Sequence, residues 1–361
     1  MRCVLKDGFW KSNAGKIIDF IVRTRTAPKI LVSTGCALLI SSIASLPTLI
    51  ATATIGDTKI GVSLRENNIL EYVVAATGFV ILLPGIFLLI SDHRSHARAM
   101  SRKRRLVVEL RGLDVTLDRS IEEQLQTTPG PPLIARFLDL RKETPQHAVG
   151  EISRIPSSIA QDASGKNSND IELFAGGLAP VPYMFLFGAM LTSQSSCTVV
   201  DWNRDSSKWS ELDATDDGDR LPLIKEEYLE NLPTEVLLTL STSYTVNSDA
   251  IDKTFDTMRR INWELDERHV NSHWSADKQR ALSAQFRDFL IRLDEKGVRI
   301  IHLVLASQAS IALNFGRQLH RRNMPEIRIY QYEVKESPPY PWCIKIPSDE
   351  AKAPTVLATK A

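Results

Sequence analysis

Two stretches of this 361-residue chain have residue types and spacing suited to holding an anion. In the first, an apolar run with Ile171, Leu173 and Phe174 leads into Ala175, Gly176, Gly177, Leu178, Ala179 and Pro180, then into the apolar segment Tyr183 to Leu191. In the second, Ile300, Ile301, Leu303, Val304 and Leu305 lead into Ala306, Ser307, Gln308, Ala309 and Ser310, then into a segment holding Phe315, Gly316 and Arg317. A strand, a small-residue turn and a helix in that order present bare backbone N–H groups at a helix N-terminus, where phosphate is stabilised. Phe187-Gly188 and Phe315-Gly316 fall at corresponding points, so the chain reads as two related halves with a nucleotide-like ligand between them.

Individual side chains fit that chemistry. Gly176, Gly177, Leu178, Ala179 and Pro180 suit a floor that a ribose-phosphate ring approaches closely, because small or absent side chains permit it. Ser307, Gln308 and Ser310 offer donors to phosphate or base, although Ser310 reads equally as an N-cap. Trp202, Arg204 and Trp209 follow a strand end, where an indole stacks on a base and a guanidinium pairs with phosphate. At least one of the two tryptophans is expected in the core or an interface. Ser241, Thr242 and Ser243 follow the apolar run ending at Leu240, lining the same crevice or standing as solvated loop hydroxyls. Arg317 points to the crevice or makes a surface ion pair.

Catalytic and metal patterns fit less well. His269 and His273 have helical ligand spacing, but Val270 stands where a zinc protease motif needs Glu. Asp213, Asp217 and Gly218 resemble a calcium loop only until Thr215 and Ile224, which occupy positions needing side-chain oxygens. No GK[ST] phosphate loop or GxSxG motif is present. No catalytic residue, metal or cofactor is expected, and an enzyme is the weaker hypothesis.

The elements around these residues begin with a membrane segment. No charged residue lies between Lys29 and Asp57 or from Tyr72 to Ser91, and each run reaches the roughly 20 residues of a spanning helix. Two transmembrane helices are expected, about 30–52 and 70–91, joined by a short external loop. Seven Lys/Arg precede the first run, and a polybasic juxtamembrane linker, 92–105, follows the second, with Arg94, Arg98, Arg102, Lys103, Arg104 and Arg105. Basic flanks face the cytoplasm, which puts both the N-terminus and the C-terminal domain inside and the second cluster against inner-leaflet lipid. Ala51-Thr52-Ala53 resembles a signal cleavage site, but the apolar run is long for a signal core.

Within residues 1–29, Trp10, Ala14, Ile17, Ile18 and Ile21 form an amphipathic stripe suited to an interface. Ser33, Ala37, Ser41 and Ser45 make a small-residue stripe on the first spanning helix, and Gly78 and Gly85 share a face of the second. Cys3, Cys36, Cys197 and Cys343 show neither zinc-knuckle nor disulfide spacing, which fits a reducing compartment.

After residue 105, apolar strand candidates alternate with helical patterns: Leu106–Leu110, Leu133–Leu138, Cys197–Val200, Val236–Leu240, Ile300–Leu305, Ile327–Tyr330 and Trp342–Ile346. The clearest helix spans Ala276 to Lys296, with Leu282, Phe286, Phe289, Leu290 and Leu293 on one face. Ser164–Asp170 and Asp213–Arg220 read as loops. This is an α/β pattern with mainly parallel sheets covered on both sides, with halves of about 106–225 and 226–361.

The order Gly177-Leu-Ala-Pro-Val-Pro182, Val199-Val-Asp-Trp-Asn-Arg204, Leu240-Ser-Thr-Ser243 and His302 to Ser310 resembles the SAVED domain of bacterial anti-phage signalling systems (CBASS), over about Leu106 to Pro347. The two preceding apolar runs resemble the 2TM-SAVED effector arrangement. The resemblance implies two fused Rossmann-like, CARF-like subdomains in the cytoplasm, binding a cyclic oligonucleotide, with a cyclic trinucleotide favoured. It implies ligand-induced homo-oligomers, disruption of the bacterial inner membrane ending in abortive infection, and a functional link to a cGAS/DncV-like nucleotidyltransferase. DNA and protein-coding RNA are not among the implied partners. The competing readings are a membrane-tethered nucleotide sensor that signals to a partner protein without membrane damage, and a membrane-bound cyclic-nucleotide hydrolase.

Overall fold

The computed structural model describes residues 27–44, 69–114, 119–128, 130–194, 196–269 and 271–359. It forms two compact units, residues 1–100 and 101–361. The expected interfacial stripe at 10–21, Ser45, the possible cleavage site and much of the external loop lie outside the described residues.

The first unit contains helix α1 (Ala27–Ala44) and most of helix α2 (Ile69–Arg102). They pack directly on each other: a Cβ built on Gly35 would lie 2.8 Å from the Cβ of Leu82, and one on Gly85 would lie 2.9 Å from that of Leu31. Gly78 faces Leu38 and Leu39 in the same way, so Gly78 and Gly85 share the contact face. Ser33, Ala37 and Ser41 lie off it and are exposed. Phe79, Val80, Leu83 and Phe87 point outward as well. Among the described residues one helical stretch, Val73–Ser95, is long and apolar enough to cross a membrane, and Pro28–Ser41 is a shorter apolar helix.

Residues 92–102 are not a linker but the continuation of α2, whose 34 residues span roughly 50 Å at 1.5 Å each, well beyond a bilayer core of about 30 Å. Only Lys103 separates α2 from strand β1 (Arg104–Arg111).

The second unit is mixed α/β with two sheets. Its first half runs β1, α3 (Ile121–Gln126), β2 (Leu133–Asp139), α4 (Pro145–Ser153), α5 (Ile155–Asp162), β3 (Ile171–Leu178), α6 (Val181–Met190), β4 (Cys197–Asn203) and β5 (Lys208–Glu211). The second half runs β6 (Glu235–Ser241), α7 (Ser248–Thr254), β7 (Arg260–Glu264), α8 (Ala276–Glu295), β8 (Ile300–Ala306), α9 (Ala309–Gly316), β9 (Glu326–Gln331), β10 (Trp342–Ile346) and β11 (Thr355–Ala358). Local chemistry sets several starts: Ser120 and Glu123 form a capping box at α3, and Thr144, Asn247 and Ser275 cap α4, α7 and α8. The apolar face expected on α8 is buried from Leu282 to Leu293.

The sheets have the orders β2-β1-β3-β4-β5 and β11-β10-β9-β8-β6-β7. Within each half, four parallel strands are arranged second, first, third, fourth, so the halves repeat one another. Antiparallel β5 extends the first sheet, and β10 and β11 extend the second.

Helices α6 and α9, which follow the third parallel strand of each half, pack against each other in the centre. Each also lies against the other half's sheet, α9 on β3 and β4, α6 on β9 and β10. At their contact a Cβ on Gly188 would lie 1.9 Å from the Leu313 carbonyl oxygen, and one on Gly316 would lie 2.0 Å from that of Phe185. The exchange is reciprocal: each glycine meets the residue three before the other and the residue one after it. The paired Phe-Gly steps of the sequence are thus the point where two helix backbones touch.

Candidate functional site

Because the strand order reverses between β1 and β3, and again between β6 and β8, each half has a crevice at the C-terminal ends of those strands, where open α/β sheets bind ligands. A cavity of about 270 Å³ gathers both. The first half supplies Leu113 after β1, Leu178, Ala179 and Val181 around the β3–α6 turn, and Asp201, Trp202, Arg204 and Asp205 from the end of β4. The second supplies Tyr244, Asn271, His273, Trp274, Ser307, Gln308 and Ala309.

Of the residues expected from sequence, Leu178, Ala179, Trp202, Arg204, Ser307 and Gln308 are brought together. The others are placed elsewhere, each for a physical reason. Gly176 and Gly177 belong to β3 rather than to the turn, and both are buried. A Cβ on Gly176 would lie 2.6 Å from the Val200 carbonyl oxygen, and one on Gly177 would lie 2.5 Å from that of Leu110. Their smallness serves strand packing. Pro180 precedes α6 without lining the cavity.

Trp209 is 2% exposed, its indole N–H donates to the Arg119 carbonyl at 3.1 Å, and its ring meets Trp202 edge-on at 5.5 Å. It is a core residue that steadies Trp202. The Gln124 side-chain amide also bonds both backbone groups of Trp209, occupying the outer edge of β5. Ser241, Thr242 and Ser243 are buried outside the cavity lining, and the Thr242 and Ser243 hydroxyls have no hydrogen-bond partner among the described residues. Arg317 lines a different cavity.

Neither small-residue turn presents an open row of N–H groups. Pro180 and Pro182 have none to offer at the start of α6. At α9 the Ser310 N–H donates to Asp201 Oδ2 at 3.1 Å, so a buried carboxylate of the first half already occupies the helix N-terminus of the second. His273 Nε2 lies 3.6 Å from the same oxygen, and Asp201 Oδ1 accepts from the Trp202 N–H. The polar side chains that line the cavity and carry donors suited to an anion are Arg204, Asn271, Tyr244 and Gln308, the last donating to the Tyr244 hydroxyl at 3.3 Å.

Below the cavity a file of hydrogen bonds continues from Asp201. Gln279 Nε2 donates to Ser310 Oγ at 2.9 Å, Asn314 Nδ2 donates to Gln279 Oε1 at 2.7 Å, and Arg317 reaches Asn314 Oδ1 at 3.5 Å. The loop carrying His273 and Trp274 is held through the 213–220 segment: Ala214 N–H donates to the Trp274 carbonyl, and buried Lys278 Nζ lies 2.7 Å from Asp217 and 3.4 Å from Asp219. Burial opposes ionisation of Asp217, but the Lys278 bond holds its carboxyl below the usual range. A lysine thus neutralises the acidic loop that resembled a calcium site. Among the described residues no three His, Cys, Asp or Glu side chains group closely enough to hold a metal ion.

Asp201, Tyr244, Asn271, His273 and Trp274 were not among the expected ligand contacts. Asp201 had a legible signal, an acidic residue closing the apolar run Val199-Val200, and the His273-Trp274 pair stood in view as a rejected metal motif.

Residues 155–346 match the family model of SAVED, the SMODS-associated and fused to various effectors sensor domain. The chain belongs to the SAVED family. Residues 10–155 match the SAVED-fused 2TM effector domain. The SAVED match begins at Ile155, later than the Leu106 expected from sequence, yet β1 and β2 are integral to the first sheet because β1 pairs with both β2 and β3. No curated protein matches the chain.

The SAVED/CARF-domain containing receptor Cap4 of Acinetobacter baumannii, in a structure with the cyclic trinucleotide 2'3'3'-cAAA, is similar at 13% identity and TM-score 0.45, over 77% of this chain and 59% of that one. Its structure with 3'3'3'-cAAA gives 12% and 0.43, over 77% and 59%. Cap4 of Moraxella osloensis gives 12% and 0.42, over 74% and 56%. This SAVED chain therefore spans less than two thirds of those receptors' length.

Proposed function

We propose that the SAVED domain of this chain is a receptor for a cyclic oligonucleotide, a cyclic trinucleotide in the first instance, and that binding drives copies to associate so that their attached helices perturb a bacterial inner membrane in antiviral defence. One observation carries the reading: a single cavity gathers the ligand-binding crevices of two halves with the same strand order. A ring of repeated nucleotides suits two repeated crevices. Trp202 supplies a stacking face and Arg204 a guanidinium.

Size links binding to association. About 270 Å³ lies near the lower end of small-molecule sites, enough for roughly one nucleotide, so the rest of a ring stands above the rim where a second copy can cover it. A ligand held more tightly by the associated state shifts the population toward that state. The basic extension of α2 supports a cytoplasmic side for the domain. The polar groups of the cavity support recognition rather than turnover, since both Asp201 oxygens already accept backbone N–H groups.

Binding of a panel of cyclic di-, tri- and tetranucleotides to the detergent-solubilised chain, with mass measured by light scattering in the same samples, tests the proposal. One ligand is expected to bind, remain intact on long incubation and raise the mass. Trp202→Ala is expected to weaken that ligand about 5- to 160-fold, the range for losing one base–aromatic stack of about 1–3 kcal/mol. Equal affinity in the variant would place the ligand away from this cavity.

A further inference from the structure

The larger cavity of the second unit, about 580 Å³, lies away from the strand-end crevices and is also built by both halves. Its walls come from the segment after α6, the first residues of β4 and the end of β5 on one side, and from α8, α9 and the residues after α9 on the other. Its volume is in the range that holds a small organic molecule, about 300–1,000 Å³.

Three features define what fits. Arg280 and Arg317 come from the second half, Glu211 and Asp213 from the first. Arg317 donates to the Gln194 carbonyl at 3.1 Å and reaches Asn314 only at 3.5 Å, while Arg280 pairs with Asp277 on the exposed face of α8. Ser283, 2% exposed and lining the cavity, keeps its Oγ buried with no hydrogen-bond partner among the described residues. A buried hydroxyl without a partner costs free energy, and a ligand oxygen would remove that cost. Burial pushes the Cys197 thiol in the same wall up to about 11, which opposes formation of the thiolate.

We propose that this cavity is a second ligand site, taking a nucleoside monophosphate whose phosphate meets Arg317 and Arg280 and whose amino-bearing base meets Glu211 and Asp213. The two carboxylates disfavour a polyanion such as a triphosphate or a second cyclic oligonucleotide, because like charges in one cavity repel. The two guanidiniums exclude a metal ion. The same opposition of charges favours a ligand with one anionic end and one hydrogen-bond-donating end. The file through Asn314, Gln279 and Ser310 connects this site to Asp201 in the first cavity. The site stands whether or not the first cavity takes a cyclic oligonucleotide.

Titration calorimetry of the full chain in detergent with AMP, and with UMP, which lacks the exocyclic amine, tests it. AMP is expected to bind, with UMP at least five-fold weaker. Ser283→Ala is expected to weaken AMP about 2- to 10-fold while leaving the melting temperature of the unliganded chain equal or higher, as removal of an unsatisfied hydroxyl should. Arg317→Gln is expected to weaken AMP at least ten-fold, the loss of a charge-assisted contact. No heat with AMP at millimolar concentration, AMP affinity unchanged by Ser283→Ala, or UMP binding as tightly as AMP would each overturn the proposal.

Discussion

Gly316→Val is expected to lower the melting temperature of the chain by about 6–12 °C. The substituted Cβ would sit 2.0 Å from the Phe185 carbonyl oxygen and 2.9 Å from the Ala189 nitrogen, so backbone rather than a side-chain tip must move. Overpacking a core commonly costs about 1–3 kcal/mol, and a rigid backbone obstacle puts this case at or above the upper end. For a domain of this size each kcal/mol shifts melting by about 2–4 °C.

Gly188→Val should act alike, since its Cβ would lie 1.9 Å from the Leu313 carbonyl oxygen. The double variant should lose less than the sum, because separating the helices once relieves both clashes. Melting curves that match the unmodified chain would mean that α6 and α9 do not touch at this point. Because α6 and α9 also carry the turns that line the first cavity, ligand affinity should fall along with stability.

Inserting Gly-Ser-Gly-Ser between Lys103 and Arg104 is expected to leave cyclic-oligonucleotide affinity within two-fold and to reduce ligand-dependent leakage from protein-containing liposomes at least ten-fold. Helix α2 ends at Arg102 and β1 begins at Arg104, so a single residue carries any movement from sheet to helix. One residue has two soft backbone dihedrals, whereas four Gly and Ser residues behave as a flexible coil.

The insertion precedes β1, whose pairing runs from Arg104 with Ile171 through Arg111 with Leu178, so the sheet register is untouched. The ion pair between Lys103 and Glu172 at 2.9 Å is partly exposed and adds little stability. Undiminished leakage from the insertion variant would show that clustering alone, without a stiff connection, produces the output.

Both predictions rest on features that were half visible beforehand. The alternation of apolar strands with helices, the charge-free runs and the repeated strand, turn and helix with its Phe-Gly step are local patterns, because burial on one face of a segment writes its period into the residues themselves. They were enough to place the two halves and to mark Leu178, Ala179, Trp202, Arg204, Ser307 and Gln308, which do converge. The strands β5, β7 and β11 were missed, being short edge strands whose pairing rests on partners rather than on an apolar run of their own.

The sequence by itself determined that this chain pairs an apolar helical segment with a two-part α/β domain of the SAVED family. Only the tertiary structure decided what each marked residue does. Gly176 and Gly177 are small for neighbouring strands, Trp209 is a core support, and Asp201 takes the helix N-terminus that the small-residue pattern assigned to phosphate. Arg317 serves a separate cavity altogether. The reason is physical: periodicity records which side of a segment is buried, but which side chains meet depends on strand order and on contacts such as Ser310 with Asp201, 109 residues apart in the chain, and no local pattern encodes those.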